Sequence, residues 1–430
     1  MSTPTKRIAF HTLGCKLNFS ETSTISRNLV INGYEKVAFR EQADCYIINT
    51  CSVTENADKE ARKLIRRAKR KNPLAKVVII GCYAQLQPTD IAKIDGVDIV
   101  LGASEKFELL EHLNQIDINS NPVIISSDIN EVNIFKPSFS SEERTRSYLK
   151  VQDGCDYTCS FCTIPMARGK SRSGTIKSTV AQARKAAYLD NREIVLTGVN
   201  VGDFGNNSNE SFIDLIRELD KVNEIDRFRI SSIEPNLLTN EIIEFCHKSE
   251  KFMPHFHIPL QSGSDRILRL MRRRYDTKIY KERIKKIIDT NIETCIGVDV
   301  IVGFPGESYD DFLETYYFLK ELNIAYLHVF SYSERNGTRA INFSEKVPFS
   351  ERSKRSKMLR ILSEKKQREF LNNFIGRKKK VLFEGLKNGY QIGHTDNYIK
   401  VKINESSNYH NQIMEINLVE NNGSHMIGHM

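Results

Sequence analysis

The chain has 430 residues, 40% hydrophobic and 27% charged, with 63 Lys and Arg against 54 Asp and Glu and a formal net charge of +9. Those proportions exclude a disordered chain, allow about two to four domains and suit an anionic partner. No run approaches the roughly 18 apolar residues of a membrane span, and Met1–Arg7 lacks the apolar core of a secretory signal, so a cytoplasmic protein without membrane attachment is expected. In that reducing setting nine cysteines need a reason other than disulfides.

Residues 1–117 alternate strand and helix signals. Strands are predicted at Arg7–Thr12, Cys45–Ile48, Lys76–Ile80 and Asp98–Leu101. The clearest helix is Asn56–Lys71, with Ala57, Ala61, Leu64, Ile65 and Ala68 on one face and Asn72-Pro73 as its stop. Such alternation implies a parallel-sheet α/β domain. Residues 118–140 read as a linker with one short strand at Val123–Ser126.

Alternation resumes in 141–375. Strands are expected at Tyr148–Gln152, Glu193–Thr197, Arg227–Ile233, His255–Pro259, Cys295–Val302 and Tyr326–Tyr332. Helices are expected between them at Thr179–Leu189, Ser211–Val222, Asn240–Lys248, Ile279–Asp289 and Tyr309–Leu322. Six units in ~190 residues are too few for a closed eight-fold barrel, which needs about 250 residues, so a partial (β/α)6 barrel follows. Ser350–Phe374 reads as a basic helix. Residues 376–430 carry short strands at Lys380–Glu384, Tyr398–Ile403 and Gln412–Val419, the pattern of a small β-barrel of oligonucleotide-binding type. Gly423-Ser424-His425-Met426 reads either as a cloning scar or as a native tail.

The chemistry lies in two sets of cysteines. Cys155, Cys159 and Cys162 form CxxxCxxC just after the first strand of the partial barrel. Three thiolates at this spacing suit a four-iron cluster with one open iron, or a zinc ion whose fourth ligand comes from elsewhere. Cys15, Cys51 and Cys82 each follow the C-terminal end of a predicted strand. Neighbouring parallel strands bring such ends together, and Gly14 and Gly81 allow close backbone approach. Cys45, Cys246 and Cys295 read as core residues. His257 is a candidate pocket residue, and Arg168 and Arg172 are candidates for holding a carboxylate or phosphate.

The CxxxCxxC segment resembles the signature of radical S-adenosylmethionine (SAM) enzymes. Together with Thr12-Leu13-Gly14-Cys15-Lys16-Leu17-Asn18, the second cysteine set and the C-terminal barrel, the whole chain resembles the methylthiotransferases, whose last part is similar to the RNA-binding TRAM domain. The resemblance implies two 4Fe-4S clusters, on Cys155/Cys159/Cys162 and on Cys15/Cys51/Cys82, with SAM as methyl donor and radical source. It places Phe161 near the adenine of SAM and Gly198, Val199 and Asn200 near its methionine amino group through backbone. It puts Ser231–Glu234, with Ser232 and Glu234, and Gly297–Gly303, with Ile301, near ribose and adenine. Arg172 joins that cofactor-binding set. It names no catalytic side chain beyond the cluster ligands. Three branches exist: two act on modified tRNA adenosines and one on a ribosomal-protein aspartate. Lys16 makes the first motif most similar to the threonylcarbamoyladenosine branch rather than the isopentenyladenosine branch. The implied partners are the tRNA anticodon stem-loop, around position 37, and an electron donor such as flavodoxin or ferredoxin. The rival of another class is a non-catalytic zinc-containing RNA-binding protein.

Between Ser350 and Lys380, twelve basic residues face three acidic ones, a net +9 that equals the charge of the whole chain. Beside an RNA-binding type of barrel this run is expected to track a phosphate backbone, extended by Arg272–Arg274 or the basic face of Lys59–Lys71. Because it is remote in sequence from all six cysteines, RNA binding and chemistry are expected to be separable.

Overall fold

The computed structural model describes residues 5–51, 55–115, 121–141, 145–405 and 407–430, without side chains for 55–58. Met1–Pro4, the Ala57 side chain, and Asn119 and Ser120 of the expected linker lie outside the described residues.

Six parallel strands form the first sheet, in the order Glu35–Val37, Arg7–Thr12, Cys45–Thr50, Lys76–Gly81, Ile99–Leu101 and Val123–Ile125. Cys45–Thr50 and Ile99–Leu101 are buried throughout, which is why they read as continuous apolar runs rather than alternating ones. Alternate side chains still serve opposite faces. Tyr46 and Ile48 pack with Ala61, Leu64, Ile65 and Ala68 of helix Glu55–Lys71, while Ile47 packs with Ile25 and Leu29 of helix Lys16–Ile31. The chain leaves Arg7–Thr12 for one edge and returns to its other side, so the strand order reverses between Arg7–Thr12 and Cys45–Thr50. Crevices at such reversals, outside the carboxyl ends of the strands, are where open α/β sheets bind ligands.

The stretch expected as a linker is woven into both neighbours. Val123–Ile125 closes the edge of the first sheet, and Ser138–Phe139 pairs antiparallel with the next strand, Arg146–Lys150. Six parallel strands then follow as predicted: Arg146–Lys150, Glu193–Thr197, Arg227–Ile230, His255–His257, Cys295–Val302 and Tyr326–Ser331. The third and fourth are linked beside the strands by the parallel bridge Phe228–Phe252 and by the Ile233 N–H to His257 carbonyl bond at 3.1 Å, and among the described residues the first and last do not pair, which leaves a partial barrel. Their apolar side chains share one core with the surrounding helices. Two helices have starts set by short polar side chains. Ser308 and Asp311 close a capping box before Tyr309–Glu321, and Thr239 caps Asn240–Lys248.

Helix Phe349–Asn372 leads into a closed five-stranded barrel: Lys378–Lys387, Tyr390–Thr395, Lys400–Ile403, Met426–His429 and Ile413–Asn421. Two of these strands were not predicted. Within Met426–His429, Met426 is fully buried and pairs with Val401 and Asn421, so this segment seals the barrel. Among the described residues no helix is long and apolar enough to cross a membrane.

Candidate active site: two cysteine triads at one junction

Cys15, Cys51 and Cys82 stand beyond the carboxyl ends of three adjacent strands, two of them flanking the reversal. Gly14 has φ +93°, and a Cβ there would lie 2.8 Å from Cys51 Sγ. Gly81 has φ +96°, and a Cβ there would strike the Thr50 backbone. Both glycines are required by close approach, as the sequence implied. Cys51 and Cys82 are buried, while Cys15 is open to solvent at the start of helix Lys16–Ile31.

The second triad lies in the loop after Gln152–Asp153, and each of its sulfurs has one N–H donor. Tyr157 N–H reaches Cys155 Sγ at 3.3 Å, Ile164 N–H reaches Cys162 Sγ at 3.4 Å, and the Arg273 guanidinium reaches Cys159 Sγ at 3.1 Å. Burial pushes the Cys155 and Cys162 thiols up to about 12, so a metal must displace protons to bind there. Helix Cys82–Leu86, which begins at one triad, packs against helix Ile164–Arg168, which begins just after the other.

A buried ionic network joins the two sides. Glu21 accepts hydrogen bonds from Lys106 at 2.6 Å, Lys150 at 3.1 Å and Arg168 at 3.1 Å. Asp153 accepts from Arg168 at 2.9 Å and Arg172 at 3.1 Å. Arg168 also donates to Asn18 Oδ1 at 2.6 Å. Burial pushes the Glu21 carboxyl up, but Arg168, Lys106 and Lys150 outweigh it and hold it well below the usual range. Burial opposes the charge of Arg168, yet Glu21, Cys82, Asp153 and Cys15 raise its pKa further still. Four cations against two carboxylates leave positive charge beside the first triad. Three thiolates there, holding a cluster, supply the missing negative charge, so the residues fit an iron–sulfur group.

Arg168 and Arg172, expected to hold a carboxylate or phosphate, both contribute to this framework. Arg172 also donates to the Arg168 carbonyl at 2.6 Å, while its buried Nε has no partner among the described residues. The other cofactor-site expectations divide. Phe161 and Ile301 line one cavity of about 250 Å³ together with Cys162, Asp299 and Gln261. The N–H groups of Val199 and Asn200 are both taken by Gln152 Oε1, at 2.9 Å each, and a Cβ on Gly198 would meet that side chain. The Asn200 carbonyl already accepts from Asp203 N–H at 3.1 Å. Asn200 is buried with both amide atoms unbonded. Glu234 pairs with Arg273; burial pushes its carboxyl up despite that partner. Ser232 lies 3.1 Å from His257 Nδ1, and His257 Nε2 is 3.0 Å from Asp299.

His257 opens onto a second cavity of about 430 Å³, walled by all three parts of the chain. The first part supplies Lys16. The partial barrel supplies His255, His257, Tyr326 and His328, and the C-terminal barrel supplies His394, Tyr398 and Lys400. Tyr398 has φ +66°, a strained backbone for a bulky side chain. Its ring is held between His255 at 4.7 Å and His394 at 5.0 Å, with the Arg229 guanidinium 4.8 Å from its centre. Asp299 lines the first cavity and lies 3.0 Å from His257 of the second, so this pair stands between the two spaces. Cys45, Cys246 and Cys295 are buried, with burial raising their thiols; Cys295 also lines the second cavity.

The basic run departs from expectation. Arg352 and Arg355 are buried on Glu334 and Glu307, and Lys366 donates to the Lys320 and Leu322 carbonyls. Lys379, only 12% exposed, bridges Glu293 and Asp396 at 3.1 Å each. Arg273, expected as part of an RNA track, is buried against Cys159 and Glu234. The C-terminal barrel is docked on the core: Arg227 donates to the Lys380 and His394 carbonyls, Arg229 to that of Asp396, and Arg146 pairs with Glu384 at 2.7 Å.

The model of the uncharacterized protein family UPF0004 matches residues 7–102, and that of the Radical SAM superfamily matches residues 149–319. A Bacillus subtilis protein named threonylcarbamoyladenosine tRNA methylthiotransferase MtaB is 38% identical, covering 96% of this chain and 94% of its own. A protein of the same name from Aquifex aeolicus is 39% identical, covering 92% of this chain and 96% of its own. Among solved structures, the radical SAM methyltransferase TsrM from Kitasatospora setae aligns with a TM-score of 0.59 at 14% identity, covering 78% of this chain and 77% of its own, a likeness of fold.

Proposed function

The chain belongs to the radical SAM methylthiotransferases, and from that premise we infer that it adds a methylthio group to carbon 2 of N6-threonylcarbamoyladenosine beside the tRNA anticodon, at position 37. Its cofactors are SAM and two 4Fe-4S clusters, which we assign to Cys155/Cys159/Cys162 and Cys15/Cys51/Cys82. The observation that carries this reading is the convergence of both triads on one junction with two neighbouring cavities. When bound, the first cluster with SAM supplies a carbon radical able to take hydrogen from adenine, and the second supplies the sulfur that replaces it.

The protein's own work is placement. SAM takes the cavity of Phe161, Ile301 and Asp299, with its amino group toward the carbonyls of Gly198–Asn200 that Gln152 orients. Arg273 and the N–H groups of Tyr157 and Ile164 stabilise thiolate charge in a half-buried loop. The base enters the larger cavity from the side of the C-terminal barrel. In this reading residues 1–117 hold the sulfur-donating cluster, 118–140 connect, 141–375 form the SAM core with its basic helix, and 376–430 contribute RNA contacts. A small soluble electron donor such as flavodoxin or ferredoxin reduces the clusters.

The test uses reconstituted holoenzyme with SAM, a reductant, sulfide and an anticodon stem-loop carrying threonylcarbamoyladenosine. Nucleoside mass analysis is expected to show the methylthio product. SAM cleavage without that product on this stem-loop, but with product on an isopentenyladenosine stem-loop, would move the enzyme to the other tRNA branch.

A further inference from the structure

The larger cavity contains cations without partners. Its histidines have neutral or acidic neighbours: His255 pairs with Tyr326 Oη at 3.0 Å, His394 with Glu384 at 2.7 Å and His257 with Ser232 at 3.1 Å, with Asp299 3.0 Å from His257 Nε2; among the described residues His255 Nδ1 and His257 Nε2 have no hydrogen-bond partner. Lys16 and Lys400 make no hydrogen bond or ion pair among the described residues, although both line the cavity. They approach from opposite parts of the chain, Lys16 from the first helix and Lys400 from the C-terminal barrel. Lys16 is also within electrostatic reach of Arg146 and Arg229, each already matched by a glutamate. Asp299, the acidic group near Lys16, is engaged by His257. Burial keeps His255 and His328 below the ordinary histidine range, so they do not add charge of their own.

A cavity of this size suits a flat base with a substituent. Its walls are aromatic and imidazole rings, and its unmatched charge is positive. Adenines with apolar N6 substituents offer no partner to Lys16, which is exposed at the rim of the cavity. A threonylcarbamoyl group presents one carboxylate, which pairs with it. We propose that Lys16 is the residue that selects substrate, its ammonium pairing with the carboxylate of the N6 substituent while the rings of Tyr398, His257 and His328 enclose the planar part of the base. This rests on the function proposed above and names the group that sets its specificity.

The experiment measures affinity of holoenzyme for anticodon stem-loops carrying threonylcarbamoyladenosine, its carboxylate methyl ester, or isopentenyladenosine. Wild type is expected to bind the acid about 30-fold or more tightly than the ester, a comparison that needs no variant. Lys16→Met is expected to lose that preference, binding acid and ester within about threefold, with iron content checking that the adjacent Cys15 loop is intact. Equal binding of acid and ester by wild type would overturn the proposal, as would a folded, iron-replete Lys16→Met that still prefers the acid. If wild type methylthiolates the threonylcarbamoyl stem-loop yet shows no preference for the acid, the function stands and the role of Lys16 falls. If wild type acts only on the isopentenyl stem-loop, the function falls and the Lys16 assignment with it.

Discussion

The two triads solve the same problem in different ways. Cys155, Cys159 and Cys162 come from eight consecutive residues, so the loop itself brings the sulfurs together. Cys15, Cys51 and Cys82 come from three separate loops and meet only because their strands are parallel neighbours. The compact set is supported locally, by backbone N–H groups two residues away and one long-range arginine, Arg273. The dispersed set depends on the sheet, on two positive-φ glycines and on the ionic network that docks it to the core. The first should therefore tolerate disturbance of the sheet, and the second should not.

The largest effect expected is on activity. Replacing Cys155, Cys159 and Cys162 with Ala should abolish SAM cleavage and lower iron from about eight to about four per chain. Replacing Cys15, Cys51 and Cys82 with Ala should lower iron equally but spare formation of 5′-deoxyadenosine while ending methylthiolation. Equal loss of SAM cleavage in both triple variants would erase the functional contrast between the triads.

Next comes the junction. Glu21→Gln leaves Arg168, Lys106 and Lys150 without their shared carboxylate in a dry site. Breaking a buried pair in this way costs about 3–5 kcal/mol. Denaturant unfolding should show that loss, with the iron of the dispersed triad lost first. An unchanged midpoint would mean that the network is not what joins the two parts.

How much of this could be read beforehand follows the same contrast. The spacing of the compact triad is visible in eight residues, and the strand ends before Cys15, Cys51 and Cys82 are visible as apolar runs meeting turn residues. The expected Glu193–Thr197, Asn240–Lys248 and Cys295–Val302 elements match the structure residue for residue. Supporting contacts were hidden because they span the chain: Arg273 lies 114 residues from Cys159, and Arg168 lies 147 from Glu21. An arginine in a basic triplet carries no local sign that it is buried. Similarly, counting charge in Ser350–Lys380 could not reveal that Arg352, Arg355 and Lys379 are matched by glutamates and an aspartate elsewhere.

Acid should probe a further joint. Burial pushes the Glu193 carboxyl up, but Arg229 more than offsets it and holds it at about 2. A depressed carboxyl contributes stability that is complete above its unfolded value, near 4.5, and is lost as pH falls through the folded one. Stability should thus decline between about pH 4.5 and 2, by roughly 3 kcal/mol from this group alone. Because Arg229 also donates to the Asp396 carbonyl at 3.0 Å, the C-terminal barrel should loosen over the same range. Glu193→Gln should flatten this part of the profile, and an unaltered slope would assign the acid lability to Glu21 and Asp153 instead.

The smallest effect separates cations that hold the fold from those that meet RNA. Counterion release counts only charges that approach phosphates, at about 0.7–0.9 in log–log salt slope per contact. Lys357, Arg360 and Lys380 are exposed, and their side chains have no hydrogen bond or ion pair among the described residues. Lys379 lies between Glu293 and Asp396 and is nearly covered. Changing Lys357, Arg360 and Lys380 to Ala should therefore flatten the salt dependence of tRNA affinity by up to about two to three units while leaving unfolding unchanged. Lys379→Ala should do the reverse, lowering stability because Glu293 and Asp396 lose their shared cation, with the slope preserved. Affinity measured at several salt concentrations, beside denaturant curves, distinguishes the two. If Lys379→Ala alone flattens the slope, its ion pairs open on binding, and the run at Ser350–Lys380 acts as one basic track after all.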